Sequence, residues 1–116
     1  MSLDVSLEIE VDTGGKEPHI IYLYDANITH NLGPIAEMVF LYGPLWRPEE
    51  NGIDTASDLI DPLINGLHDL RRFGRDHFKD AAPKNGWGTY DGFMHFVENL
   101  LKACQEDPKA KFTVSR

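Results

Sequence analysis

The chain has 116 residues, of which 41% are hydrophobic and 26% charged, as in one ordinary globular domain rather than a disordered or fibrous chain. Its 11 basic and 19 acidic residues give a net charge of −8, which disfavours binding to nucleic acid and to anionic membrane surfaces. No apolar run approaches the roughly 20 residues that a membrane span needs, and the acidic N-terminus lacks the basic region of a signal peptide. We therefore expect a single domain over residues 1–116, located in the cytoplasm.

The first predicted element is a strand over residues 2–12, because apolar and polar residues alternate there without a break. One side is apolar, and the polar side is left for water or for a partner chain. Turn residues at 13–18 and a second apolar run at 19–24 predict a hairpin of two antiparallel strands. The chain is then expected to leave the sheet through a loop at 25–34.

A short helix is predicted at 34–42 and is expected to end at Gly43-Pro44. The sequence Thr55-Ala56-Ser57-Asp58 is typical of a helix start, but Pro62 favours a short turn at 55–60. A main helix would then begin at Asp61 and end at Gly74, with one more helical turn within 76–81. Its predicted core stripe is Leu63, Ile64, Leu67, Leu70 and Phe73.

The last helix has the clearest pattern, because apolar residues recur every three or four positions after a capping Thr89. These residues are Phe93, Phe96, Val97, Leu100, Leu101 and Cys104. A terminal strand at 111–115 follows. Together the elements predict an α+β fold, a small antiparallel sheet of about three strands with helices packed on one face. The patterning leaves the strand order open, and an open edge strand would allow two copies to pair as a homodimer.

Two features have alternative explanations. Cys104 is the only cysteine, which excludes an internal disulfide and a cysteine-based zinc site; it is either a small buried hydrophobe or a nucleophile. The basic residues Arg71, Arg72 and Arg75 either complement the end of a helix dipole or form a local anion site.

The first candidate binding group is Asn27, His30 and Asn31, which follow the second predicted strand. Asparagine offers both a donor and an acceptor, and histidine titrates near neutral pH. Alternatively these side chains satisfy the backbone of a turn.

The second candidate is Trp46-Arg47, where an indole and a guanidinium could hold an aromatic or anionic ligand. Alternatively Trp46 packs in the core while Arg47 pairs with Glu49 or Glu50.

The third candidate is the sequence NGWGTYD at 85–91, with Trp87, Tyr90 and Asp91 beside a helix N-terminus. Asp91 would repel a phosphate and suits hydroxyls, amines or base edges better. Alternatively Trp87 and Tyr90 close the helix end against the sheet.

No cofactor or metal is predicted, because Asp91 and His95 lack a second pair of ligands at metal-binding spacing. No catalytic residue is assigned. If the chain were a hydrolase or lyase, His30 would be the general base and Asp91 would orient it or the substrate.

Three segments of the chain carry a resemblance to known proteins: DTGGKEPHIIYLYDANITHNLGPIAE, LWRPEE and NGWGTYDGFMHFVENLLKAC. With them the chain resembles a family of small uncharacterised proteins encoded by bacteriophages and prophages. The resemblance implies an accessory protein in a bacterial host cytoplasm and brings no catalytic role. It also implies that these motif positions belong together: Asn27, His30, Asn31, Trp46, Trp87, Tyr90 and Asp91.

The leading hypothesis is a binder that sequesters a planar, polar small molecule, such as a nucleoside or a nucleotide-derived signal. A protein–protein inhibitor that uses its acidic charge against a basic host protein is the second class, and the small enzyme is the third.

Overall fold

The structure is a computed structural model that describes residues 2–82 and 89–116. Its elements run β1 (Ser2–Val11), β2 (His19–Thr29), α1 (Gly33–Met38), α2 (Tyr42–Trp46), α3 (Ala56–Phe78), α4 (Tyr90–Glu106) and β3 (Lys111–Ser115). Short 3-10 turns occur at His30–Leu32 and Pro48–Glu50. The predicted α+β class, with an N-terminal hairpin and a C-terminal strand, is confirmed.

The strands form one antiparallel sheet in the order β2-β1-β3, so β1 lies in the centre. Leu3, Val5 and Leu7 of β1 are almost completely buried, and the helices cover this inner face. The intervening residues of β1 lie on the opposite, outer face, which faces solvent. The alternation predicted from the sequence is therefore the alternation between core and solvent.

Strand β2 continues five residues beyond the predicted end at residue 24, through Thr29. Ala26 and Ile28 pair with Val5 and Leu3, so they extend the inner apolar row. The prediction of a loop from residue 25 was wrong, because polar residues such as Asn27 alternate with these apolar residues on the outer face.

The single helix predicted at 34–42 is two helices, because the chain breaks between Met38 and Tyr42. Phe40 has a φ of 61°, a left-handed conformation that no helix interior contains. Gly43-Pro44, the predicted stop, lies instead inside the first turn of α2. Proline is tolerated there because the first N–H groups of a helix have no partner within it.

Helix α3 begins where the capping sequence indicates and passes through Pro62 without stopping. Thr55 and Asp58 form a capping box, in which backbone N–H groups of Asp54 and Thr55 each donate to Asp58 Oδ2 at 3.0 Å. These backbone hydrogen bonds, from Thr55 first, lower the pKa of the Asp58 carboxyl. The separate turn predicted at 55–60 was wrong, because burial of Leu59 and Leu63 on either side offsets the hydrogen bond that Pro62 lacks.

Two predicted core residues of α3, Ile64 and Phe73, are exposed. Ile64 lies beside the buried stripe rather than on it. Phe73 stacks on His77 with ring centroids 4.7 Å apart, next to the break at Gly74, where φ is 77°. The buried face of α3 therefore passes from Leu70 to Phe78 and leaves Phe73 exposed.

Helix α4 begins after Thr89, whose Oγ1 accepts a hydrogen bond from Gly92 N at 2.9 Å, as predicted. Its predicted core residues are buried except Leu101, which is half-buried. Within residues 2–82 and 89–116, no helix combines the length and the apolar character needed to span a bilayer.

Gly66 on α3 provides a test of this packing. A methyl group at Gly66 would lie 2.5 Å from Cδ1 of Leu41, which is fully buried, so the two elements would have to shift to admit it. We expect Gly66→Ala to lower the free energy of unfolding by about 1–3 kcal/mol, despite the better helix propensity of alanine. The measurement is urea denaturation followed by circular dichroism.

The matched control is Asn65→Ala, an exposed position in the same turn of α3. It should be neutral or slightly stabilising, because only helix propensity changes there. If Gly66→Ala is as stable as Asn65→Ala, the contact between α3 and Leu41 is not the constraint inferred above.

Candidate functional site

His30 holds the start of β1 and the indole of Trp46. Its Nε2 lies 2.6 Å from the Ser2 carbonyl oxygen, and its Nδ1 accepts a hydrogen bond from Trp46 Nε1 at 3.4 Å. These partners fit one neutral tautomer, in which Nε2 carries the proton and donates it to Ser2. Both ring nitrogens are therefore engaged, and neither is free to act as a general base in this arrangement.

Trp46 is a core residue, since only 2% of its surface is exposed. Its indole stacks on Tyr42 with ring centroids 5.1 Å apart. Arg47 is exposed and lies 3.8 Å from the carboxylate of Glu50, so the pairing considered as an alternative is the one observed. The indole face that was considered for a ligand is covered by Tyr42.

Arg116 fastens the end of the chain to this loop. Its Nη1 donates to the Trp46 carbonyl oxygen at 2.6 Å and to Glu49 Oε1 at 2.8 Å. Hydrogen bonding to its own backbone N–H, and then to Arg116, lowers the pKa of the Glu49 carboxyl. The guanidinium next to Trp46 is thus that of Arg116, and its role here is structural.

The two asparagines predicted beside His30 diverge from it. Asn27 lies on the outer face of β2, in the position opposite Asp4. Asn31 is exposed in the 3-10 turn, where its backbone N–H donates to Thr29 Oγ1 at 3.3 Å. The first candidate group therefore does not converge on one point.

Tyr90 and Asp91 serve the packing of α3 against α4. The Tyr90 hydroxyl donates to the Leu70 carbonyl oxygen, and the Tyr90 ring stacks on Phe78 at 5.7 Å between centroids. Burial, followed by the nearby charge of Asp91, raises the pKa of the Tyr90 hydroxyl. Asp91 pairs with Arg75 at 2.6 Å, and this partner raises the pKa of the guanidinium.

The structure describes only part of the third candidate group. Asn85 and Trp87 lie outside the described residues. Tyr90 is a packing residue at the N-terminal end of α4, but it contacts Leu70 and Phe78 of α3, whereas the alternative placed it against the sheet. Asp91 is paired with Arg75 rather than with His30. The described contacts hold His30 with Trp46 and, separately, Tyr90 and Asp91 with α3.

A concavity of about 680 Å³ lies on the outer face of the sheet, on the side away from the helices. The lining includes Asp4, Ser6, Glu8, Tyr22, Asp25, Asn27, Thr113 and Ser115. Across it Ser6 Oγ and Thr113 Oγ1 are 2.6 Å apart and share a hydrogen bond. Of the predicted site residues that the structure describes, only Asn27 lines this concavity. The polar side of β1 gave the signal for this face, whereas Tyr22 was predicted only as part of the second strand and not as a site residue.

The end of the hairpin projects beyond the rest of the sheet. We call residues 9–23 the arm, because β3 pairs with β1 only as far as Glu8. The helical layer ends at the same level, since Thr55, which precedes α3, bridges to Lys111 opposite Glu8. Five large apolar residues of the arm are exposed by 37–64%, namely Ile9, Ile20, Ile21, Tyr22 and Leu23.

Cys104 is fully buried, and burial raises the pKa of its thiol to about 12. Such a thiol is unreactive at neutral pH, because the thiolate is the nucleophilic form. Among residues 2–82 and 89–116, no three or more His, Cys, Asp and Glu side chains are grouped so as to hold a metal ion. Comparisons with protein-family models, with curated proteins and with solved structures find no match.

The position of Trp46 can be tested by fluorescence. In a Trp87→Phe variant Trp46 is the one remaining indole, since the chain has 2 tryptophans. We expect blue-shifted emission and little quenching by iodide in the folded protein, because stacking on Tyr42 and burial exclude the ion. Unfolding in guanidinium should abolish both properties.

The control carries its one tryptophan at the exposed position of Phe40, in the background Trp46→Phe and Trp87→Phe. It should be quenched freely when folded. Equal quenching of the two proteins would contradict the assignment of Trp46 to the core.

Proposed function

We propose that the chain is a small binding protein that engages another protein through its arm and the adjoining outer face of the sheet. The observation that supports this proposal is the exposed apolar surface of the arm, on a part of the hairpin that no other described element covers. The alternative of an inhibitor of a host protein, raised from the sequence, is thus preferred here to a closed small-molecule pocket.

Both faces of the arm carry exposed apolar residues, although the hairpin ends in solvent. Ile20 and Tyr22 lie opposite Glu10 and Glu8 on the outer face, whereas Ile21 pairs with Ile9 on the inner face. Burying apolar surface is worth about 25 cal/mol per Å², so leaving such residues uncovered forfeits stability. Contiguous exposed apolar residues on a small domain are typical of interaction sites.

Aromatic and large aliphatic residues surrounded by charge also match the composition of protein interfaces. Tyr22 is the central candidate for an anchor, because it is 64% exposed and adjoins the concavity. The resemblance to phage-encoded proteins supports a host protein as the partner and the host cytoplasm as the place. It also supports an accessory rather than a catalytic role.

The test replaces Tyr22 by the photo-crosslinking residue p-benzoylphenylalanine and irradiates the purified protein in a bacterial lysate. We expect one or a few discrete adducts with a foreign protein, which mass spectrometry identifies. The matched control carries the same residue at Phe73, which is 48% exposed on α3. It should give none of these adducts.

Three outcomes would contradict the proposal: no adduct at position 22, the same adducts at position 73, or adducts with a second copy of the chain alone.

The second candidate function is binding of a planar, polar small molecule, and the composition of the concavity favours it. The lining of the concavity includes an aromatic ring from Tyr22, an amide from Asn27 and the hydroxyls of Ser6 and Thr113. Asp25 adds negative charge, which disfavours phosphate groups and favours a nucleoside or an amine-bearing ring. Of the planar, polar ligands expected from the sequence, this negative charge favours those without a phosphate group.

Isothermal titration with a panel of free nucleosides, their mono- and diphosphates and aromatic amines tests this candidate. We expect binding of an uncharged or cationic member, loss of that binding in Tyr22→Ala, and no change in Phe40→Ala. Phe40 is a suitable control because it is an exposed aromatic residue outside the concavity. Absence of heat with every member would remove this candidate.

A further inference from the structure

Strand β2 lies at one edge of the sheet. In the order β2-β1-β3, β2 pairs with β1 on one side, and none of the strands within residues 2–82 and 89–116 pairs with its other side. An unpaired strand edge presents a row of backbone N–H and C=O groups that another strand can join.

This edge lacks the usual protection. Natural edge strands are blunted by lysine, by proline, by short length or by bulges. Strand β2 has 11 residues, HIIYLYDANIT, with neither lysine nor proline. One irregularity, next to Leu23, interrupts its pairing with β1. Residues 24–29 beyond it pair regularly with β1.

The outer face beside this edge is acidic. Asp4, Glu8 and Asp25 line it, and none of the four ion pairs in the described part of the chain includes them. The one lysine in the three strands is Lys111, opposite Glu8 on β3, which is the far side of the sheet from β2. The edge therefore carries negative charge on its outer side only.

The inner side of the same edge is apolar. Tyr24, Ala26 and Ile28 of β2 point toward the core and range from half-buried to buried. A strand that joins β2 alternates its side chains between the two faces. One set would lie beside Asp25 and Asn27, and the other beside Tyr24, Ala26 and Ile28.

We propose that β2 accepts an extended segment of a partner protein in which basic and apolar residues alternate, added as a fourth strand at the edge formed by residues 24–29. Charge complementarity selects this occupant. A second copy of the chain would bring another net charge of −8 and another Asp25 to the same edge, which is repulsive. The inference rests on the proposed function, because it specifies the chemistry of the protein partner at the edge that adjoins the arm and the outer face.

The probe is a capped, fluorescently labelled octapeptide of alternating lysine and valine, at low concentration. We expect saturable binding by fluorescence anisotropy, weakened by salt, and new protection from hydrogen exchange at amides of residues 24–29. Two control peptides should bind at least about tenfold more weakly. One replaces a central valine by proline, which cannot complete the strand pairing, and the other replaces every lysine by glutamate.

Two protein variants distinguish binding at the β2 edge from attraction by the overall negative charge of the protein. Asp25→Lys should weaken binding by about tenfold or more, whereas Asp61→Lys, an exposed site on α3 with the same change in charge, should change it less than about twofold. Equal effects of the two variants, equal binding of the proline peptide, or protection outside β2 would each overturn the inference. A foreign adduct at Tyr22 would then still support the proposed function, so the two failures are distinguishable.

Discussion

The central strand β1 is the constraint on which the rest of the structure depends, because it pairs on both sides and its alternate residues face opposite environments. Leu3, Val5 and Leu7 carry the core on one face, and the polar residues between them form the outer face. A one-residue slip would exchange the two sets, so the register is strongly specified. Beyond Glu8, β1 pairs with β2 alone, because its pairing with β3 does not extend past that residue.

Residues that usually mark binding sites are used here to fasten elements together. His30 and Trp46 tie the 3-10 turn and α2 to the first residue of β1. Tyr90 ties α4 to α3 through the Leu70 carbonyl. A buried polar tip needs a hydrogen-bond partner, and each of these side chains has found one within the chain. In the described part of the molecule, the surfaces available for binding are therefore formed by residues other than His30, Trp46 and Tyr90.

The sequence predicted the elements whose pattern is local and uninterrupted. The alternation of β1 and the spacing of α4 after Thr89 are of this kind. The errors came where tertiary context outweighs a local signal. Strand pairing extends β2 past Asp25, and core packing carries α3 across Pro62. For the candidate site, the sequence indicated which residues have side chains suited to binding but not where those side chains point. The same residue types can line a pocket or hold two elements of the chain together.

The run HIIYLY shows what a single sequence leaves ambiguous. Its residue types after His19 are apolar or aromatic at every position, which predicts a strand but leaves open which of its faces is covered. In the structure the same residues stand on a projecting arm, where neither face is covered by the described part of the chain. The composition of the run therefore predicts the strand but not its surroundings. Strand propensity depends on the residue types, whereas cover depends on which other elements reach that far along the sheet.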